Sequence, residues 1–366
     1  MSSYASSDLV LVDLDWGSEI NLAEGECEQA APPSISDLAD SDSLYNFIVA
    51  DSAQGSSPTA SPSNSVSLTS SIYQHSYHHG RRYQKFRPGR YPMPNDQTEQ
   101  DREDMKHIMM LELTEGEYFL APVDGSPKKI IDLGTGTGVW AIDVADKYPN
   151  AQVTGVDLSP IQPAWTPPNV NFYVDDIEDE WLNGRDIDLV HARHVTPFVR
   201  DVPALLQKAY DHMTPGGWIE LQDLGHEAFC DDLSMPANNE DYPVSHFLDT
   251  SCEVWAAAAL GADFRVAPKL GQMLEEAGFV NVSCKTFKVP IGAWPKQPKL
   301  RTIGTYMQLA IDLAIAALCR APGLISQWTE EETVVYIAKC KKALEDDSVH
   351  SYMLFYFWQG QKPLAS

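Results

Sequence analysis

Two kinds of residue stand close enough in this sequence to act together: glycines that free a bend of backbone, and carboxylates at the ends of apolar runs. Residues 130–138 read Ile-Ile-Asp-Leu-Gly-Thr-Gly-Thr-Gly, and residues 139–147 take up helical periodicity directly afterwards. A β-branched run that breaks into alternating glycines and then into a helix reads as strand, tight turn and helix start. Glycine permits positive φ and lets a ligand approach the backbone. The ligand then meets the positive end of a helix dipole. Asp132 stands two positions before the first glycine, and Asp157 closes a second strand pattern nineteen positions after Gly138.

The spacing separates two cofactor classes. A dinucleotide fingerprint needs Gly-x-Gly-x-x-Gly, its last glycine packing helix on strand. Here the glycines are Gly134, Gly136 and Gly138, and Val139 stands where a dehydrogenase places its third. A carboxylate at Asp132 would repel a pyrophosphate but suits a cofactor with a cationic amino acid moiety, which is S-adenosylmethionine. A nicotinamide oxidoreductase is disfavoured for the same two reasons. The backbone of Gly134, Thr135, Gly136 and Gly138 is expected around the methionine part, with Asp132 near its ammonium. Asp157, with Leu158 beside it, takes the ribose hydroxyls. Asp176 and Ile177, after a third strand pattern, fall where the adenine amino group would sit; the competing reading of the acidic run 175–180 is a solvated loop.

Methyl transfer from a sulfonium needs mainly alignment of nucleophile, methyl and sulfur, so a missing catalytic triad does not argue against an enzyme. His194 follows a fourth strand pattern, at the sheet end where ligands of open α/β folds lie. It has two readings, a base for a hydroxyl or amine acceptor or a histidine satisfied by its surroundings.

These residues need a sheet to hold them. Strand patterns at 129–133, 152–157, 170–174, 187–192 and 218–221 alternate with helical patterns at 139–147, 202–213 and 269–277, which implies a parallel sheet covered on both faces. The alternation stops over 227–262, an insertion carrying Trp255. A strand at 279–289 follows, then helical stretches 300–319 and 330–344, then the aromatic run 351–358, a strand expected beside 279–289. The two insertions, 227–262 and 300–344, supply Trp255, Trp294, Tyr306 and Met307 as candidate walls of an apolar acceptor pocket.

Composition narrows the partners. A formal net charge of −26 excludes sequence-independent nucleic-acid binding. Six cysteines without a Cys-x-x-Cys pair suit a reducing compartment. There is no basic, apolar secretory leader and no run long enough to cross a bilayer, so no membrane is expected and the location is cytoplasmic or nuclear. Residues 1–80 contain no Lys or Arg and are expected to be a disordered acidic tail, with 8–16 and 37–49 as candidate partner-binding helices. Residues 81–127 read as an N-terminal helical cap, its helix 97–113 started by Asn95 or Asp96. The run Arg81, Arg82, Lys85, Arg87, Arg90 is either a nuclear-import patch or a structural strap. In the strap reading the segment, with Tyr91, folds over the cofactor mouth.

Several stretches together resemble the LaeA-type fungal methyltransferases, a family tied to secondary metabolism. They are 83–96 (Tyr-Gln-Lys-Phe-Arg-Pro-Gly-Arg-Tyr-Pro-Met-Pro-Asn-Asp), 132–140, Gly-Val-Asp-Leu-Ser-Pro-Ile-Gln-Pro at 155–163, 175–181, Thr-Pro-Gly-Gly-Trp-Ile-Glu at 214–220, and Gly-Gln-Lys-Pro at 360–363. The resemblance implies an α/β fold with a seven-stranded Rossmann-like methyltransferase sheet and helical insertions over 128–366. It also implies S-adenosylmethionine as cofactor, and favours a folded strap at the basic run. Two expectations follow. The first is O- or N-methylation of a small-molecule acceptor in secondary metabolite biosynthesis; the alternative is a nuclear regulator acting through protein partners.

Overall fold

The computed structural model describes residues 9–12 and 73–365, without 124, 126, 183, 239–240, 258–260, 262 and 322–327. Its centre is β4 (Lys129–Leu133), whose residues alternate between two cores. Ile130 packs with Trp140, Ala141 and Val144 of α2 (Val139–Lys147) on one face. Ile131 and Leu133 pack on the other with Leu205 and Leu206 of α3 (Val202–His212) and Leu270 and Leu274 of α5 (Leu270–Glu276). This two-residue alternation is what a strand buried on both faces requires.

β5 (Gln152–Asp157) and β6 (Val170–Val174) extend the sheet in parallel on one side of β4, and β7 (Ile187–Arg193) with β8 (Met213–Phe229) on the other. The chain therefore reverses its direction of spread between β4 and β7. At such a switch point the loops leaving the strand ends part and open a crevice. β10 (Tyr352–Gln361) is antiparallel to both β8 and β9 (Val280–Pro290), giving the expected seven strands in the order β9-β10-β8-β7-β4-β5-β6.

A third core lies beyond the strand ends. There α1 (Gln97–Leu113), α4 (Pro243–Ala257), α6 (Pro298–Leu318) and α7 (Glu330–Leu344) gather over β9 and β10 through Met109, Val244, Ile311, Ile337 and Phe355. Asp96, not Asn95, caps α1 by accepting from Glu99 N–H at 3.2 Å, while Asn95 Nδ2 donates to Ser159 Oγ at 3.3 Å. A full capping box, Thr329 with Glu332, starts α7.

Three expectations need correction. Leu9–Val12 form β1, an eighth strand parallel to β9, and His75–His78 form β2, a hairpin with β3 (Arg81–Gln84), so residues 1–80 are not uniformly a structureless tail. The candidate helix 37–49 lies outside the described residues, as do all but 9–12 of the candidate helix 8–16, and those four are strand. β8 runs on to Phe229, so the first residues of the expected 227–262 insertion belong to the sheet.

Candidate active site

The bend after β4 has the expected backbone, with φ of +68° at Gly134, +58° at Gly136 and +84° at Gly138. The three glycines answer different needs. A Cβ at Gly134 would lie 2.5 Å from Val195 Cγ2, and one at Gly138 would lie 2.4 Å from Phe172 Cζ. At Gly136 nothing stands within 4 Å. Gly136 is the residue of the bend that opens on space, and that space is a cavity of about 230 Å³.

The amides of Gly134, Thr135, Gly136 and Gly138 are engaged within the protein. Gly134 and Thr135 N–H both donate to Val156 O, at 2.8 and 3.0 Å, and Gly138 N–H donates to Thr135 O at 2.9 Å. Gly136 N–H donates to Asp157 Oδ2 at 2.9 Å. The loop thus offers a ligand its shape, with the amides locking the bend. Thr135 Oγ1 is buried with no partner among the described residues.

Asp157 stands where the sequence places it. Its second oxygen accepts from Ser159 N–H at 2.8 Å, so two backbone amides fix the carboxylate at the cavity wall beside Leu158. Burial, then the nearby Asp132 and Glu103 charges, push its carboxyl up to about 6 despite those amides. A fixed carboxylate with remaining lone pairs suits a vicinal diol.

Asp132 is buried and accepts from His191 Nδ1 at 2.7 Å. The His191 ring in turn stacks on Trp140, centroids 3.7 Å apart. The expected partner of a ligand ammonium is therefore already engaged on one oxygen. A smaller hollow of about 40 Å³ beneath the bend is lined by Asp132, Thr135 and Trp140, and it shares Glu103, Lys106, Gly134, Gly136, Arg193 and His194 with the main cavity.

Asp176, which also lines the cavity, is engaged more fully. Oδ2 accepts from Arg90 Nε at 3.0 Å and Oδ1 from Glu178 N–H at 3.1 Å. Arg90 also donates to Phe198 O at 2.7 Å and pairs with Glu178. Arg87 pairs with Asp179, and Arg81 with Asp96. The basic run is thus a strap tied across the acidic run, so neither stretch is merely solvated. The strap brings Tyr91 to the cavity, edge-on to Phe198 with centroids 4.8 Å apart; Ile177 lines it too.

His194 closes β7 in the left-handed region, φ 59°. A non-glycine residue held there stores backbone strain of a kind that clusters at functional sites. It lines both hollows, and its Nε2 is buried with no partner among the described residues. Burial, followed by the Lys106 and Arg193 charges, holds its pKa well below the usual value, so the imidazole is neutral at neutral pH.

Sequence reasoning missed a stripe of α1. Glu99, Arg102, Glu103 and Lys106 sit at one helical face, line the cavity and pair with one another. Arg102 Nη2 reaches Glu99 and Glu103 at 2.6 Å each, and Lys106 Nζ lies 2.8 Å from both Glu103 oxygens. Burial pushes the Glu103 carboxyl up, but the Lys106 and Arg102 charges outweigh it and hold the group at about 2. The far end of the cavity is apolar, with Met109, Phe247, Phe264, Met307 and Ile311 among its walls. Of the aromatic residues proposed for that wall, Trp294 instead donates Nε1–H to Ser351 O at 3.0 Å. Tyr306 packs against the third core, and the side chain of Trp255 lies outside the described residues.

Residues 103–284 match the methyltransferase domain family. Methyltransferase pytC of Aspergillus terreus is 36% identical over 305 residues, covering 82% of this chain and 92% of its own length. The secondary metabolism regulator LAE1 of Cochliobolus heterostrophus is 35% identical, covering 78% of this chain and 94% of its own. The protein-methionine methyltransferase laeA of Emericella nidulans is 31% identical, covering 83% and 81%. The chain belongs to the LaeA-type fungal methyltransferases. As a LaeA-type enzyme it takes S-adenosylmethionine, and the site fits that group: the open Gly136, the fixed Asp157 carboxylate and the hollow beneath the bend lie along one continuous surface. Its setting, as in its LaeA-type relatives, is fungal secondary metabolism. Among the described residues no helix is long and apolar enough to cross a membrane.

Proposed function

We propose that the chain methylates an oxygen or nitrogen of a small-molecule secondary metabolite. The observation that carries this reading is a single cavity that begins at Gly136 and Asp157 and ends among Phe247, Met307 and Ile311. One end suits a nucleoside and the other a hydrocarbon skeleton. When bound, S-adenosylmethionine supplies a methyl group, the electron pair of the broken carbon–sulfur bond staying on sulfur.

The chain's own residues then have assigned tasks. Asp157 holds the ribose, and Leu158, Ile177 and Tyr91 cover the adenine side, with Asp176 acting through Arg90 to keep the strap closed. Asp132 orients His191 beneath the bend. His194 offers a neutral imidazole to the proton of the acceptor's hydroxyl or amine, and α4 with α6 keeps water from the apolar end. Labelled methyl donor incubated with the full chain and a fungal metabolite extract tests this. Label in an extractable small molecule is expected; label in protein alone, or nowhere, overturns it.

A second reading, a regulator acting through protein partners in the nucleus, is favoured by relatives named as regulators of secondary metabolism. Metabolite profiles of a deletion strain separate the two. Loss of one methyl group supports the biosynthetic enzyme, and collapse of many products supports the regulator.

A further inference from the structure

The α1 stripe is an expensive thing to bury. Replacing paired interior charges by apolar side chains is often neutral or stabilising, so packing alone gives no reason for Arg102 and Lys106 to sit 8% and 7% exposed at a cavity wall. Within the stripe one donor is left over. The Lys106 ammonium carries three N–H groups; two meet the Glu103 oxygens, and the third has no acceptor among the described residues.

Position along α1 says what that donor faces. The Glu103 charge acts on Asp157, the ribose-side carboxylate. One turn on, the Lys106 charge acts on His194, just after β7, and on Asp223 and His226 in the second half of β8. One further turn brings Met109 to the chamber wall. Lys106 and His194 both line the main cavity and the hollow beneath the bend, so Lys106 stands at the seam between the two halves.

The groups around it are charted. From α1 come Glu99, Arg102 and Glu103, the two acids already bound to Arg102 and Lys106. From β7 come His194 and Arg193, whose guanidinium bonds His107 Nδ1 at 2.9 Å. From β8 come His226 and Asp223, the latter accepting from Val195 N–H at 3.0 Å and Thr196 Oγ1 at 2.6 Å. Burial pushes Asp223 up to about 7 and His226 down to about 4. Burial also brings Lys106 down to about 8 against the pull of Glu103, as expected of a cation short of acceptors.

Resting on the small-molecule reading above, we propose that Lys106 holds the acceptor's nucleophilic oxygen as an oxyanion, which makes the acceptor an apolar molecule with an acidic hydroxyl, a phenol or an enol. The O–H bond breaks with its electron pair left on oxygen beside the ammonium, and the proton passes to the His194 imidazole and on to water. The chamber takes the carbon skeleton. An amine acceptor gains nothing from an ammonium at this seam.

The test uses the full chain without methyl donor, with 7-hydroxycoumarin as an acidic fluorescent probe and 7-methoxycoumarin as its neutral counterpart. A cation at contact distance lowers an acidic group's pKa by about 1–3 units. Bound 7-hydroxycoumarin is therefore expected to ionise at least one pH unit lower than free, and its anion to bind about 10-fold tighter than the methoxy probe. Lys106→Met is expected to abolish both differences while leaving 7-methoxycoumarin binding unchanged, and Lys106→Arg to restore them. Equal affinity of the wild-type protein for the two probes, absence of binding by either included, overturns the proposal, and this comparison needs no folded variant.

The donor's own carboxylate is the other oxyanion in reach. If Lys106→Met weakens S-adenosylhomocysteine about 10-fold and leaves the probe preference intact, Lys106 serves the donor instead and the proposal fails. Because the probes need no methyl transfer, failure here and failure of the labelling experiment are separate results.

Discussion

The two ends of the cavity are built by opposite strategies. At the cofactor end the glycine bend Gly134–Gly138 leaves β4 and Asp157 ends β5, and backbone amides hold both in place. At the acceptor end the walls come from α1, α4, α6 and β10, side chains separated by up to about 240 positions, as Met109 is from Met353. The first arrangement is rigid and local, so it preserves one ligand shape. The second can be remade by exchanging side chains on helices, which is how one donor site comes to serve different acceptors.

The contrast is broken most forcefully at the bend. Gly134→Ala and Gly138→Ala combine positive φ with collisions at 2.5 and 2.4 Å against the side chains of Val195 and Phe172, and each is expected to lower stability by about 3 kcal/mol or more. Gly136→Ala meets open space and loses only about 1–2 kcal/mol. Thermal unfolding of the three variants checks this, and equal melting temperatures refute it.

Next comes Asp157→Ala, expected to weaken S-adenosylhomocysteine binding by about 10- to 100-fold in calorimetry. The carboxyl titrates near 6 in the free protein. Below that pH it carries a proton and accepts ribose hydroxyls poorly, so wild-type affinity should fall as pH drops through about 6. Asp157→Asn, which cannot titrate, should show no such fall.

At the acceptor end, Ile311→Phe narrows the chamber. The expected result is a rise of about 10-fold in acceptor KM with S-adenosylhomocysteine affinity unchanged; a parallel loss of both would mean the two ends are not independent. The smallest effect is expected at the strap's outer tie. Arg87 and Asp179 are both nearly half exposed, and Arg87→Ala should shift stability by less than about 0.5 kcal/mol.

The same contrast governs what was legible in the sequence. The bend and the position of Asp157 could be read because the amides that fix them lie within about 25 positions, and because glycine at positive φ leaves a pattern. The positions of the strands up to β8 followed from alternation, and the pairing of β10 with β9 from their apolar runs; the spatial order of the strands came only with the structure. The ion pair of Asp176 was not legible because its partner, Arg90, lies 86 positions earlier. The α1 stripe was passed over because charges at three- and four-residue spacing are the ordinary mark of a solvated face. Only contact with α6 and the strand ends reveals that this face points inward. β1 escaped notice since Leu9–Val12 is four residues long and flanked by acids.

That short strand has a bearing on how the protein behaves in solution. β9 would otherwise be the outermost strand of a largely apolar sheet, and bare strand edges template association between molecules. With Leu9 opposite Cys284 and Val12 opposite Phe287, the beginning of the chain acts as a selvedge that keeps the sheet from unravelling into its neighbours. A version trimmed before residue 73 would retain its chemistry in principle while becoming prone to clump.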